Sequence, residues 1–227
     1  LKLITFYADC DLPQGPKANQ AGFDWRRAIE LLRKSGERFG YDTVVVTDEK
    51  TKMPGAWLRV GDARRGLMMW LLETQAAAAD AFTGEKAVLV SPDTLIAGPL
   101  DFLFGDWDLT LLTRTKPKPI VNSVIAFRPS EAVSAIWAQA VEVAQGLPPE
   151  SKEWGADIDA LVNVIGIQPQ ENSVREVSGA KVKLMPLSGK FESAKFNVKP
   201  HMLRSPIWDF KGARKSLMTE YAKVLGC

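Results

Sequence analysis

Three times in its first 93 residues the chain runs an apolar, β-branched stretch into a single acid. "LITFYAD" ends at Asp9, "TVVVTD" at Asp48 and "VLVSPD" at Asp93. Two segments of helical periodicity separate them. In "DWRRAIELLRKSGERFG" an apolar face forms from Trp25, Ala28, Ile29, Leu31 and Leu32, and Gly40 suits a helix stop. "DARRGLMMWLLETQAAAADAF" predicts one long helix from Asp62 to Phe82, followed by Gly84. Strands this apolar must be covered on both faces, so the β-α-β-α-β order predicts an α/β domain. Ligands of such sheets sit beyond the carboxyl ends of the strands, where the three acids lie.

The rest of the chain is less regular. "WDLTLLTRT" and "IVNSVIAFRP" read as strands. "PSEAVSAIWAQAVEVAQG" and "EWGADIDALVNVIG" read as helices, and "GARKSLMTEYAKVL" as a closing helix. Trp70 and Trp137 fall at core spacing. "KTKMPG" (50–55) and "LPPESK" (147–152) are the expected mobile loops. The 227 residues are expected to form one domain: 1–115 as a nucleotide-binding half, and 116–227 as a sugar and acceptor half with a C-terminal phosphate-binding segment.

Composition narrows the chemistry. Hydrophobic residues make up 46% and charged residues 25%, ordinary for a globular chain. The formal net charge of +2 points to neither nucleic acid nor membrane. No stretch approaches the roughly 18 apolar residues of a membrane span. Only Cys10 and Cys227 are present, which suits a reduced, cytoplasmic protein better than a disulfide framework. A single histidine, His201, leaves Ser-His-Asp schemes without a base. Neither G-x-G-x-x-G nor a P-loop occurs.

Four segments, in order, resemble the GT-A fold glycosyltransferases. "VLVSPDTLIAGPL" is similar to the strand carrying that family's D-x-D motif, with Ser91 in place of the first Asp. "VNSVIAFRPSEAVSAIW" resembles its N-S-G-V-x-x-F strand and following helix. "WGADIDALVNVI" resembles its W-G-x-D-Q-x-A-L-N helix. "WDFKGARK" resembles the H-F-x-G-x-(R/K)-K segment of the retaining, glycogenin-like branch, with Asp209 in place of the His.

The resemblance implies a Rossmann-type mixed sheet with helices on both faces. It implies transfer of a sugar from a nucleotide-diphosphate sugar, a UDP-sugar above all, with retention of configuration. It implies Mn²⁺ or Mg²⁺ held by Asp93 and Asp209. Tyr7, Ala8, Asp48, Arg64 and Asn122 are then expected around the donor, Lys211, Gly212 and Lys215 on its diphosphate, and Asp157 as the catalytic acid facing the sugar. Trp154 and Trp208 border these motifs and suit a sugar pocket. A hard divalent ion and nearby lysines would both stabilise the charge of a departing diphosphate.

Plainer readings stand beside these. Asp93 in Ser-Pro-Asp-Thr suits a turn cap. Asp157 and Asp159 suit an exposed helix face, Lys211, Arg214 and Lys215 a solvated basic turn, and Asn122 a backbone hydrogen bond. Two other functions also remain open. One is a nucleotidyltransferase, which would want a Gly-rich first loop where "YADCDLPQGPKANQ" has only Gly15 and Lys17. The other is a non-catalytic nucleotide-sugar-binding protein, which Ser91 allows. The acceptor is open among glycan, protein and nucleic acid; Lys181, Lys183, Lys190, Lys195 and Lys199 make the last third basic enough for DNA.

Overall fold

The structure is a computed structural model that describes residues 1–9, 23–82, 85–115, 118–148, 155–194 and 204–227. The apolar runs form strands as expected. β1 (Lys2–Tyr7), β2 (Asp42–Thr47), β3 (Leu58–Arg59) and β4 (Ala87–Val90) pair in parallel. β6 (Leu109–Thr113), β7 (Ile120–Phe127), β8 (Ser173–Val177) and β9 (Ala180–Pro186) extend the sheet to eight strands in the order β3-β2-β1-β4-β7-β6-β9-β8. β7 runs antiparallel to both β4 and β6, and β8 antiparallel to β9, so the sheet is mixed. Because β7 is reversed, its first residues share an edge with the last residues of β1, β2, β4 and β6.

Alternation along the strands divides the core between two faces. Ile4, Ala87 and Leu89 point to one side, where they meet α2 (Leu67–Ala81), α3 (Glu131–Gly146) and α4 (Ala156–Ile165). Trp70 and Trp137 are buried in this layer. Leu3, Val88 and Val90 point to the other side, toward Leu32 of α1 (Trp25–Glu37). Asp24 starts α1 by accepting the Arg27 amide at 2.9 Å, and Ser130 caps α3 in the same way.

Directly after β4 the chain turns through Ser91-Pro92-Asp93 into a second sheet. It contains β5 (Thr94–Ile96), β10 (Phe191–Ser193) and β11 (Ile207–Asp209), in the order β10-β11-β5. β11 runs antiparallel to β5, with Asp209 opposite Thr94. The closing helix α5 (Met218–Leu225) packs this sheet against α1.

Three expectations need correction. The long helix from Asp62 to Phe82 is broken: a 3₁₀ turn at Ala63–Arg65 precedes α2, and Gly66, at φ +151°, makes a bend that an L-residue would resist. The closing helix likewise opens as a 3₁₀ segment, Gly212–Leu217. Trp208 does not line a pocket. It is 4% exposed and packs edge-on against Tyr221, with ring centroids 5.6 Å apart. Trp154, His201, Cys10, Lys195 and Lys199 lie outside the described residues.

Candidate active site

Pairing of β5 with β11 sets two acids side by side. Asp93 ends the turn into β5 and its carbonyl accepts the Phe210 amide at 2.9 Å; Asp209 ends β11. The 3₁₀ segment then swings back over them. Its first residue, Gly212, takes φ +60°, and its fourth, Lys215, enters the interior. The Lys215 ammonium forms an ion pair with Asp93 Oδ2 and lies 3.5 Å from the Phe210 carbonyl. It also stands over the rings of Trp25, at 4.6 Å from the centroid, and Phe23, at 5.7 Å. Asp93 is therefore a buried ion-pair partner and no exposed turn cap.

Asp209 is completely buried. Neither carboxylate oxygen has a partner in full hydrogen-bond geometry, although the Ser123 hydroxyl approaches closely enough to favour the charged form. Burial pushes its carboxyl above the usual range, the Lys211 charge opposes that, and Asp93 adds to the rise. Lys211 Nζ lies 3.7 Å away. Arg114, at the end of β6, also feels the Asp209 charge; no motif singles out Arg114 or Ser123 in the sequence. Arg214 is committed elsewhere, donating to the carbonyls of Lys211 and Ala194, both at 3.0 Å.

The implied divalent ion can be tested on this donor set. Mg²⁺ and Mn²⁺ want several oxygens around one point. Ser91 removes one carboxylate. Asp93 already spends an oxygen on Lys215. Asp209 offers two unsatisfied oxygens, but Lys211 and Lys215 both stand by. Two carboxylates thus face two ammonium groups, and an added dication would meet a buried like charge. Among the described residues no three His, Cys, Asp or Glu side chains converge on one point. The site as arranged does not fit a divalent metal.

The other acid sits across β7. Asn122 and its neighbour Ser123 point to opposite faces of the sheet: Ser123 toward Asp209, Asn122 toward the start of α4. Asn122 Nδ2 donates to Asp157 Oδ2 at 2.9 Å, a side-chain contact and no backbone one. Asp157 is 1% exposed, which excludes the exposed-face reading. Burial raises its pKa, against the Asn122 hydrogen bond and the first amides of α4. Asp159 does face out, paired with Lys118 at 2.5 Å.

At the ends of β1 and β2 a third cluster forms. The Tyr7 hydroxyl bonds Asp9 and accepts Arg26 Nε at 3.2 Å, while the Arg26 guanidinium lies over the Tyr7 ring. Burial and then Asp9 raise the Tyr7 pKa. Ala8 is half-buried between them. Asp48 is fully buried; its Oδ1 accepts the Thr51 amide at 2.8 Å and its Oδ2 has no partner. Thr51 in turn accepts the Asp9 amide at 2.7 Å. Arg26 and Thr51 carry no sequence signal for this role; only the fold brings them here. Arg64 is exposed on the 3₁₀ turn.

Three of the lysines that make the last third basic are engaged. Lys181 pairs with Asp106 at 2.8 Å, Lys183 donates to Asn172 at 2.9 Å, and Lys190 lies over the Phe102 ring. No helix among the described residues is long and apolar enough to cross a membrane.

At the level of sequence no protein family and no curated protein matches this chain. Solved structures do. A glycosyltransferase involved in glycosylating the major capsid of PBCV-1 superposes with a TM-score of 0.59 at 9% identity, covering 98% of each chain. GlyE of Streptococcus pneumoniae TIGR4, in its apo form, gives 0.61 at 12% identity over 99% of this chain and 61% of its own. An active-site variant of LgtC gives 0.51 at 10% identity, over 99% and 96%. With nearly the whole chain superposed on these enzymes, the fold is that of the GT-A-type glycosyltransferases.

Proposed function

We propose that this protein transfers a sugar from a nucleotide-diphosphate sugar, most simply a UDP-sugar, to a hydroxyl of a glycan-type acceptor, retaining the anomeric configuration. One observation carries the reading. A cluster of two buried acids and two lysines, Asp93 with Lys215 and Asp209 with Lys211, and a buried acid at Asp157 flank the same strand, at the edge where a GT-A-type sheet receives its donor. The engaged lysines of the last third favour a glycan over DNA.

The residues divide the work by charge. Tyr7, Ala8 and Asp48 line the ends of β1 and β2, where the nucleoside lies. The diphosphate lies at Gly212, whose left-handed backbone lets the chain approach phosphate oxygens, and at Lys211 and Lys215. As the C1–O bond to the diphosphate breaks, its electron pair stays on the phosphate oxygen, and these lysines stabilise the new charge. Positive charge grows on the sugar ring. Asp157, held by Asn122, bears the opposite charge in a dry setting, where it counts for more than in water. The acceptor hydroxyl then forms the new C1–O bond on the face just vacated and gives its proton to the leaving phosphate oxygen.

Isothermal titration with UDP and a panel of UDP-sugars, together with assays of UDP release in the presence of glycan acceptors, tests the reading. Binding of UDP-sugars with acceptor-dependent UDP release supports it. Absence of binding to any nucleotide removes it. Binding without turnover, with every acceptor tried, would favour a non-catalytic binding protein.

A further inference from the structure

We infer that Lys215 is the built-in cation of this site: its ammonium, and no divalent metal, is the group that meets the donor diphosphate, so nucleotide binding and transfer are independent of metal. The inference rests on the nucleotide-sugar reading above. It is carried by where the ammonium is and by what holds it there.

A lysine waiting for phosphate would normally lie in water, since an ammonium is strongly hydrated. Lys215 is instead 6% exposed. It is fixed from three sides: by the Asp93 carboxylate, by the Phe210 carbonyl, and by the faces of Trp25 and Phe23. Two aromatic faces and a carboxylate form a site for a cation, and the chain's own side chain fills it. Ser91 fits the same arrangement. A second carboxylate there would leave the ammonium outnumbered and would attract a dication; a serine leaves Asp93 and Lys215 balanced. A cavity of about 330 Å³ has Lys215 in its wall, together with Phe23, Asp24, Arg27, Gly212 and Thr219. Diphosphate oxygens entering from that side meet a positive charge already desolvated and oriented, with no ion to recruit first. Arg27 and Asp24 also stand at the cavity wall, one of each sign.

The test is UDP binding by isothermal titration in EDTA and in excess Mn²⁺. Wild-type protein is expected to bind with affinities within about twofold of each other under the two conditions. Lys215→Met alone leaves Asp93 buried and unpaired and can fail to fold, so the informative variant is Lys215→Met with Asp93→Asn, which replaces the ion pair by neutral groups. It is expected to keep a cooperative thermal transition and to lose UDP affinity about tenfold or more, the ~1.4 kcal/mol of a charge-assisted contact. Wild-type binding that appears, or strengthens tenfold, only when Mn²⁺ is present overturns the inference and leaves the glycosyltransferase reading standing. Undiminished UDP affinity in the folded double variant overturns it as well. Failure of UDP and other nucleotides to bind under either condition removes the glycosyltransferase reading and this inference together.

Discussion

Lys215 and Asp93 meet as a buried ion pair across 122 residues of chain, joining the C-terminal segment to the tip of the sheet. The relationship matters for stability as well as for charge. Burying two ions costs desolvation that their attraction only roughly offsets, whereas removing one partner leaves the other uncompensated. Asp93→Asn or Lys215→Met alone should therefore destabilise the protein by about 3 kcal/mol or more. At about 2–4 °C per kcal/mol for a chain of this size, melting should fall by roughly 6–12 °C. The double variant should recover most of the loss. Thermal melts of the four proteins at one pH measure the coupling; additive losses would mean that the pair contributes nothing as a pair.

Asp157 and Asp159 should separate cleanly. Asp157 is buried against Asn122, while Asp159 is exposed against Lys118. An Asp157→Ala variant should lose turnover by about two orders of magnitude or more, with UDP affinity changed by less than about threefold, because only the transition state carries the positive sugar charge. Asp159→Ala breaks only a surface pair worth about 0.2–1 kcal/mol and should keep near-normal turnover. Steady-state kinetics beside UDP titrations settle it; the opposite ranking would hand the role to Asp159.

The buried state of Asp157 also predicts a trade between stability and activity. Burial raises its pKa in the folded protein above the unfolded value. The folded state thus binds this proton more tightly. The stability that follows is fully present at acid pH, below the unfolded value of about 3.9, and is lost as pH rises through the folded value. Asp157→Asn carries no charge at any pH. It should melt higher than wild type at neutral pH, by a few degrees, with the gap closing toward pH 4. It should be more stable and nearly inactive, as expected where a site tolerates strain for function. Melts across pH 4–8 check this, and a gap that widens on acidification would contradict the assigned burial.

Much of this arrangement is legible in the sequence. Runs such as "TVVVTD" and "KAVLV" are long enough for their burial to show, so the parallel half of the sheet and its acidic tips can be read directly. The second sheet is not legible, because strands of three residues such as β5 and β11 are shorter than any periodicity. Asp93 and Asp209 can be associated through motif resemblance, and the pairing of β5 with β11 supplies the physical reason. That Lys215 rather than a metal would answer Asp93 cannot be read in advance. "GARK" looks like a solvated turn until the 3₁₀ segment folds its last lysine under Trp25. Gly66 shows the reverse case, a helix whose period continues on paper and is broken by one backbone angle. Trp208 is equally ambiguous: beside a motif in sequence, but facing the α5 core in space.

The stereochemical prediction draws on all of these placements. An inverting transferase needs a carboxylate or histidine on the acceptor side, free to accept the proton of the attacking hydroxyl. Among the described residues, four acids near this edge are ion-paired, hydrogen-bonded or buried beneath a lysine, and Asp48 is buried with one oxygen on the Thr51 amide. Asp93 holds Lys215, Asp209 is sealed beneath Lys211, Asp157 is tied to Asn122 on the sugar side, and Asp159 holds Lys118. On the proposed mechanism the base is the leaving diphosphate itself, kept in place by Lys211 and Lys215 on the face from which it departed. Proton transfer to it requires the acceptor to attack from that same face, which retains configuration. Loss of the Lys215 charge should then lower turnover beyond its effect on donor affinity, since the same group holds the base. Proton NMR of the first-formed product from an α-linked UDP-sugar should show an α-linkage. A β-linked product would assign an acceptor-side base to this chain and overturn the mechanism, while leaving the fold and the donor site as they stand.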